Sequence, residues 1–458
     1  MDYNNTISNL KEIINIFESA DCDKNEREFI QNFIIKIAED KNFDIHQIED
    51  SIYIKKGDNP KAIIHLNIER KIKESQIALS NDQNYLNSSN DLNYINSLLV
   101  IYELLKYSDH DFDVLITNNN IQTDNKDYQY LYDIIRSKNV INLNLRQSLC
   151  LADEFSSLIL SKVNTPIERF IPDYDYKIFR LSLSKLIGGH TGADLDKVRL
   201  NSIKALVSFI RKVKAKVDLD IINLEAGSRY DRIPDSAFIE FIIKSDYDGA
   251  LFDSFNLIKN ESIEKNLKHE PDMNLSLEEI DSYEFNPVNQ TSFEHLASFV
   301  ELVPTGAYAV DNITNELISS LNLSISRTTE EFFNFIIVYR SLTDESMKEM
   351  LEKTSIAAKI SFSNINSGLV IPRWKNSNNE LTSIFRDSFM ELTGEELNII
   401  KTQYSLDSSI IFNKINVNLI SLGVEYKQGE DGNYYSLLSD MASVIKLMDN
   451  SFSHLAKQ

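Results

Sequence analysis

The chain has 458 residues, 42% of them hydrophobic, and its 47 Lys+Arg against 69 Asp+Glu leave a net charge of -22. That length and apolar content suffice for a large buried core divided over two or three domains. No Lys/Arg cluster interrupts the acidic background as a phosphate-binding stripe would, so nucleic acid is not an expected partner.

From the N-terminus, Met1 to Ala20 places Asp, Asn and Lys between apolar residues at helical spacing, with neither a basic leader region nor a continuous apolar run; a signal peptide is not expected. Leu10 to Asp40 reads as two helices separated by the polar turn Asp21 to Asn25. Strand signals follow at Ser51 to Lys55 and Ala62 to Leu66, the second an apolar run typical of a buried parallel strand. Leu98 to Leu105 reads as helix. Phe112 to Thr117 and Val140 to Leu145 are strand-like runs flanking a helical segment, Tyr128 to Arg136, which is βαβ grammar.

From about Tyr174 the texture changes to alternation at Lys177 to Leu183, then a helix over Asp196 to Lys214 and strands at Asp218 to Asn223 and Ala237 to Ile243. A polar, acidic stretch from Lys259 to Gln290 reads as a link to a second passage of the same kind, Phe293 to Leu302, Ser320 to Arg327 and Phe335 to Ser341. After Ser361 the chain passes through Asn364 to Pro372 into an amphipathic helix, Glu380 to Thr393, a strand at Asn416 to Leu422 and a closing helix from Tyr434 to Asp449. The expected domains are residues 1–173 and 363–458, two parts of one α/β domain, with an α+β domain, 174–362, inserted between them.

No run approaches the roughly 18 to 20 uninterrupted apolar residues of a membrane span; the nearest is the short stretch around Phe333 to Val338. Cys22 and Cys150 are too few for a disulfide framework or a Cys-based zinc site, which makes a reducing cytoplasm the default compartment.

Several segments carry a resemblance. Lys185-Leu-Ile-Gly-Gly-His-Thr-Gly192 is similar to the Gly-Gly-His-Ser-Gly turn that opens the lid domain of the aminoacyl-histidine (Xaa-His) dipeptidases, a family of two-domain zinc peptidases. The helix at Asn201 to Ile210, Glu225-Ala-Gly-Ser228, Ile233-Pro234, Ala237-Phe238, Tyr339-Arg-Ser-Leu-Thr-Asp344 and Trp374 follow in the family's order and spacing. The resemblance implies a zinc-peptidase-like α/β catalytic domain, with a mixed sheet flanked by helices, interrupted by an α+β lid domain that often mediates dimerisation. It further implies two bridged zinc ions with a Glu as general base.

Residue by residue, the resemblance implies loss of that centre. In Ala62-Ile-Ile-His65-Leu66-Asn67 the His of the family's His-x-Asp stands, but an amide replaces the orienting Asp. The bridging Asp falls on Ser89 or Asn90, the Glu-Glu pair on Asn120 and Ile121, and the next Asp ligand on Asn144, with Arg146 adding positive charge. The final His should follow the strand ending at Gly423, yet Val424 to Tyr435 holds none. Amides, a hydroxyl and an aliphatic group cannot offset the charge of two zinc ions, so no metal and no cofactor are expected.

Ligand-binding candidates lie in the lid. His190 matches a position that reaches towards the scissile carbonyl in related zinc peptidases, and the bland alternative is a turn histidine kept for packing. Ser228, Arg229, Asp231 and Arg232 match the segment that holds a substrate terminus; a solvated loop pairing with surplus acid is the plain alternative. The expectation is a catalytically inactive cytoplasmic pseudoenzyme, acting as a scaffold, homodimeric or heteromeric through the lid, or as a binder of a peptide or small molecule. The alternative is an active dipeptidase with a rebuilt or mononuclear site, for which His65, Asp91 and Asp124 would have to converge. A new hydrolytic chemistry near His65 or His190 is the third option.

Overall fold

The computed structural model describes residues 2–19, 26–68, 76–118, 129–429 and 431–457, and the chain divides into two compact units. The first comprises Met1–Phe155, Trp374–Thr402 and Leu406–Gln458, and the second Ser156–Arg373 with Gln403–Ser405. The sequence reading divided the chain at 173/174 and 362/363. The difference comes from two strands: Ser157–Pro166 pairs with both Phe332–Ser341 and Asn364–Ile371, so all three belong to the second unit's sheet.

In the first unit a mixed sheet runs in the order Asp44–Ile48, Ser51–Lys56, Phe112–Thr117, Ile63–Asn67, Asn139–Asn142, Asn418–Ser421, Cys150–Phe155, Trp374–Lys375, with Asn398–Thr402 also pairing Cys150–Phe155. Its centre is parallel: Ile63–Asn67 lies between Phe112–Thr117 and Asn139–Asn142, and Asn418–Ser421 continues the parallel set. Strands with helices on both faces must be apolar throughout. The twofold alternation of side chains sorts them accordingly. Ile64, Leu66, Val114, Ile116 and Ile141 enter one core, packed by the helices Tyr3–Ser19, Asn93–Tyr107, Glu380–Thr393 and Leu438–Leu455. Ile63, Leu115 and Val140 enter the opposite core with Ile411 and Phe412.

The N-terminal pair of helices is Tyr3–Ser19 and a continuous helical stretch from Glu26 to Asp40, of which Ile30–Ile35 has π-helical bonding. Phe17, Phe29, Phe33 and Tyr102 interlock where they meet, with ring centroids 4.9 to 6.5 Å apart.

The second unit is built on an antiparallel sheet in the order Asn274–Ile280, Tyr176–Ser184, Ala237–Lys244, Leu219–Ala226, Leu317–Thr328, Phe332–Ser341, Ser157–Pro166, Asn364–Ile371, with Gly306–Val310 also pairing Leu317–Thr328. The helices Ser202–Lys214, Asp248–Asn266, Gln290–Leu302 and Asp344–Ile360 share a single core with it.

Several elements differ from the sequence reading, among them the strands Cys150–Phe155 and Ser157–Pro166, which it does not contain, and the helix Ser202–Lys214, which it starts at Asp196. The stretch taken as a polar link contains the end of helix Asp248–Asn266 and the edge strand Asn274–Ile280. That helix buries only Leu251, Ser254, Phe255 and Ile258 while exposing Phe252 and Leu257, so its apolar residues form no single stripe to read. Asp344–Ile360 is helical through buried Met347, Met350, Thr354, Ala357 and Ala358, small or flexible residues with a weak periodic signature. Tyr434–Leu437 is a strand, and the closing helix begins only at Leu438.

Candidate functional site

The carboxyl ends of parallel strands are where α/β sheets place their sites, because the loops there diverge and leave a crevice. The register aligns Asn67 with Thr117, and His65 with Asn142, which is in turn aligned with Ser421. All five polar side chains therefore gather at one end of the sheet. A sixth and seventh, Asp407 and Ser408, arrive from the segment that leads into the short helix Ser408–Ile411.

These groups form one hydrogen-bonded network. Thr117 Oγ1 donates to Asn67 Oδ1 at 2.6 Å, and Asn67 Nδ2 donates to the Asp407 carboxylate. Thr117 Oγ1 lies 3.1 Å from His65 Nε2, and Ser408 Oγ 2.7 Å from His65 Nδ1. Because the Thr117 hydroxyl proton is already committed to Asn67, His65 must donate from Nε2 and accept at Nδ1 from Ser408. Ser408 in turn accepts from Asn142 Nδ2 at 3.0 Å. The result is a one-way chain from Asn142 through Ser408, His65, Thr117 and Asn67 to Asp407.

Side bonds tie the chain to the strands. Asn142 Oδ1 accepts from Ser421 Oγ at 2.8 Å and from the Asn144 backbone N–H at 2.9 Å. The Asn144 side chain accepts from the Asn67 N–H at 3.3 Å and donates to the Asn67 carbonyl at 3.1 Å. His65, Thr117, Ser408 and Ser421 are 0% exposed, Asn142 1% and Asn67 4%, so these six are closed to solvent, while Asp407 and Asn144 are half-buried. Burial pushes the His65 imidazole down to about 3, which keeps it neutral.

A dinuclear zinc centre needs lone pairs and several negative charges. Here the Nδ1 lone pair of His65 is used by the Ser408 hydroxyl, the Asn144 amide is bonded to the Asn67 backbone, and the Asn67 amide is bonded to Thr117 and Asp407. Asp407 is the one carboxylate in the network. Among the described residues no three His, Cys, Asp or Glu side chains are grouped so as to hold a metal ion. This donor set does not fit two zinc ions.

Of the remaining matched positions, Ser89 and Asn90 make local bonds. Ser89 Oγ accepts from the Gln76 N–H at 3.1 Å, and the Asn90 N–H donates to Ser88 Oγ at 3.1 Å. Asn120 and Ile121, like Asp124 and Cys22, lie outside the described residues. Asp91 accepts from the Tyr426 hydroxyl at 2.6 Å and pairs with Arg146 at 3.5 Å, which occupies it with a guanidinium. Cys150 is buried, and burial pushes its thiol up to about 12, away from the thiolate a nucleophile requires.

The second unit holds the other candidates. His190 pairs with Arg232 in a short two-stranded ribbon. The turn before it needs glycine: a Cβ on Gly189, whose φ is 142°, would lie 2.7 Å from Asp194 Cβ. Glu270, 2% exposed, closes the segment by accepting the N–H groups of Ile187 at 2.7 Å and Leu200 at 3.0 Å. His190 stacks on Tyr404 at 5.0 Å, accepts the Gly192 N–H at Nδ1 over 2.9 Å, and places Nε2 3.7 Å from Asp231 Oδ2. Arg229 grips Asp231 through two bonds of 2.8 and 2.7 Å. Burial alone would raise the Asp231 carboxyl, but the Arg229 bonds and the charges of Arg229, His190 and Arg232 hold it below the ordinary carboxylate range.

Ser228, Arg229 and Arg232 are exposed, whereas Asp231 is buried. Sequence reasoning missed Arg340 here. It is 4% exposed, donates to Thr191 Oγ1 at 3.2 Å and to the Gln403 carbonyl at 3.0 Å, and so ties the histidine turn to the 403–405 segment. A charged residue inside an apolar strand was the available signal. Asn142, Ser421, Asp407 and Ser408 were also missed, and for the last two the sequence offered none.

No family model matches the chain. Among curated proteins it is 22% identical over 244 residues to the cytosol non-specific dipeptidase of Escherichia coli, a match covering 52% of this chain and about half, 49%, of that relative. Among solved structures, the aminoacylhistidine dipeptidase of Vibrio alginolyticus superposes with a TM-score of 0.68 at 18% identity, over 93% of this chain and 92% of the other. A tripeptidase of Staphylococcus aureus gives 0.51 at 11% identity over 100% of both. The resemblance read from the sequence motifs thus holds in fold over nearly the whole chain and in sequence over half of it.

Proposed function

We propose that this chain, which shares the fold of the aminoacyl-histidine dipeptidases and sequence kinship with a dipeptidase, is a non-hydrolysing member of that family that binds a short peptide or similar small molecule, or serves as a scaffold, in the cytosol. The observation that carries the reading is the donor set at the strand ends: neutral amides and hydroxyls bonded to one another, with one imidazole engaged at both nitrogens. The peptide class and the cytosolic setting rest on the kinship with a cytosol dipeptidase.

Two active readings fare worse. A rebuilt mononuclear site would need His65, Asp91 and Asp124, of which the first has no free nitrogen, the second is paired with Arg146 and Tyr426, and the third lies outside the described residues. A serine hydrolase built on Ser408 and His65 has the hydrogen bond that nucleophilic catalysis requires. Both side chains are 0% exposed, however, and an imidazole held near 3 is too weak a base to take the hydroxyl proton.

The test is metal analysis of the purified chain together with hydrolysis of a Xaa-His dipeptide in the presence of added zinc or manganese. Far less than one metal per chain and no turnover is the expected outcome. Near-stoichiometric metal with turnover would overturn the reading.

A further inference from the structure

The network at the strand ends has a geometry that does more than omit a metal. In a dinuclear centre the cations join side chains from several strand ends and so pin those ends to one another. Here Asn67, Thr117, Asn142 and Ser421, each at the last residue of its strand, are joined instead through hydrogen bonds, directly or by way of His65. The segment Leu406–Ile411 supplies the member that completes the set.

We propose that Ser408 is an internal plug: its hydroxyl bridges His65 Nδ1 and the Asn142 amide, so that the amide–hydroxyl network fixes the strand ends and the unit is stable without metal. Three observations point the same way. Ser408 Oγ donates to one partner and accepts from the other, at 2.7 and 3.0 Å, so both its hydrogen-bonding directions are used. Phe412 follows one helical turn later and meets the His65 ring edge-on at 5.8 Å, which holds the segment in place from the apolar side. Asp407, next in the chain, terminates the same network through Asn67. One short segment therefore reaches the imidazole, the amide and the far end of the chain of bonds.

The inference rests on the non-hydrolysing reading for its account of why the cations are dispensable, but it has its own test. Thermal unfolding of the full chain is followed for wild type, Ser408→Ala and an exposed control in the same unit, Ser377→Ala, each with EDTA and with added zinc. Wild type is expected to melt at one temperature in both solutions. Ser408→Ala leaves His65 Nδ1 only the long 3.5 Å contact with Asn142 Nδ2, which keeps its own bond to Asn144 Oδ1, and is expected to lower the midpoint by roughly 2 to 10 °C in both solutions. The control should not move. Should Ser408→Ala fail to fold, Ser421→Ala removes one bond to Asn142 and should give a smaller drop.

A midpoint for Ser408→Ala equal to the control's overturns the plug, as does a wild-type midpoint that falls with EDTA or rises with zinc. Dipeptide turnover with an unchanged midpoint in EDTA would sink the functional reading and leave the plug standing.

Discussion

The strand ends of the first unit and the His190 turn of the second are both polar clusters around a histidine, yet they solve opposite problems. At the strand ends every group but Asp407 is neutral, and His65, Thr117, Ser408, Ser421, Asn142 and Asn67 are sealed from water, so each of these six must find its partners inside the cluster. At the turn the groups are charged, and Arg229, Arg232 and Ser228 remain exposed. A closed neutral cluster contributes to stability and specificity of packing, whereas an open charged one holds its ion pairs at the surface.

The largest break in that comparison should come from Asn142→Leu. It strands the Ser421 hydroxyl, the Asn144 N–H and the Ser408 oxygen together, and urea unfolding should show a loss of about 3 kcal/mol or more. Acid tests the same cluster. The folded pKa of His65 lies below its unfolded value of 6.5, so stability is constant above that pH and falls as pH drops towards about 3. A loss of about 2 kcal/mol between neutral pH and roughly pH 5 is expected, and His65→Gln should flatten it.

Glu103 sharpens the contrast from within the same unit. It is 0% exposed, Oε1 accepts from Asn9 Nδ2 at 2.8 Å, and Oε2 has no partner among the described residues. Burial pushes its carboxyl up to about 7, so its contribution is fully present below pH 4.5 and is lost as pH rises through 7, opposite in sign to His65. Glu103→Gln should gain about 2 kcal/mol at pH 8 in chemical denaturation, and a variant no more stable than wild type there would contradict the assignment. The smallest effect belongs to the open cluster. Arg229→Ala removes a half-exposed ion pair and should cost roughly 0.5 to 1 kcal/mol, while proton titration by NMR should show the Asp231 carboxyl moving upward.

What the sequence made legible follows from the range of the forces involved. The buried parallel strands announce themselves as apolar runs, and the spacing of the dipeptidase motifs led to His65, Asn67 and Asn144, which the fold does bring together. Asn142, two residues before Asn144, looked like any strand residue, although its side chain is the hub of the cluster. Ser408 bonds to His65 across 343 residues of chain, and nothing local distinguishes it from Ser409 beside it. The helix Asp248–Asn266 was illegible for a different reason, since its apolar residues are split between a buried and an exposed face.

The one-way chain from Asn142 to Asp407 also carries a consequence for its protons. A row of groups that each give one hydrogen and take one can be ordered in either sense, as in a file of water molecules in ice. Here the Asn142 and Asn67 amide nitrogens can only give, the Asn67 amide oxygen and the carboxylate at the far end can only take, and together they select a single ordering. The hydroxyl protons of Ser408 and Thr117 and the imidazole proton of His65 are thus held in one arrangement, behind side chains that water does not reach. Their exchange with solvent would register the opening of this unit as a clock does, one tick for each excursion.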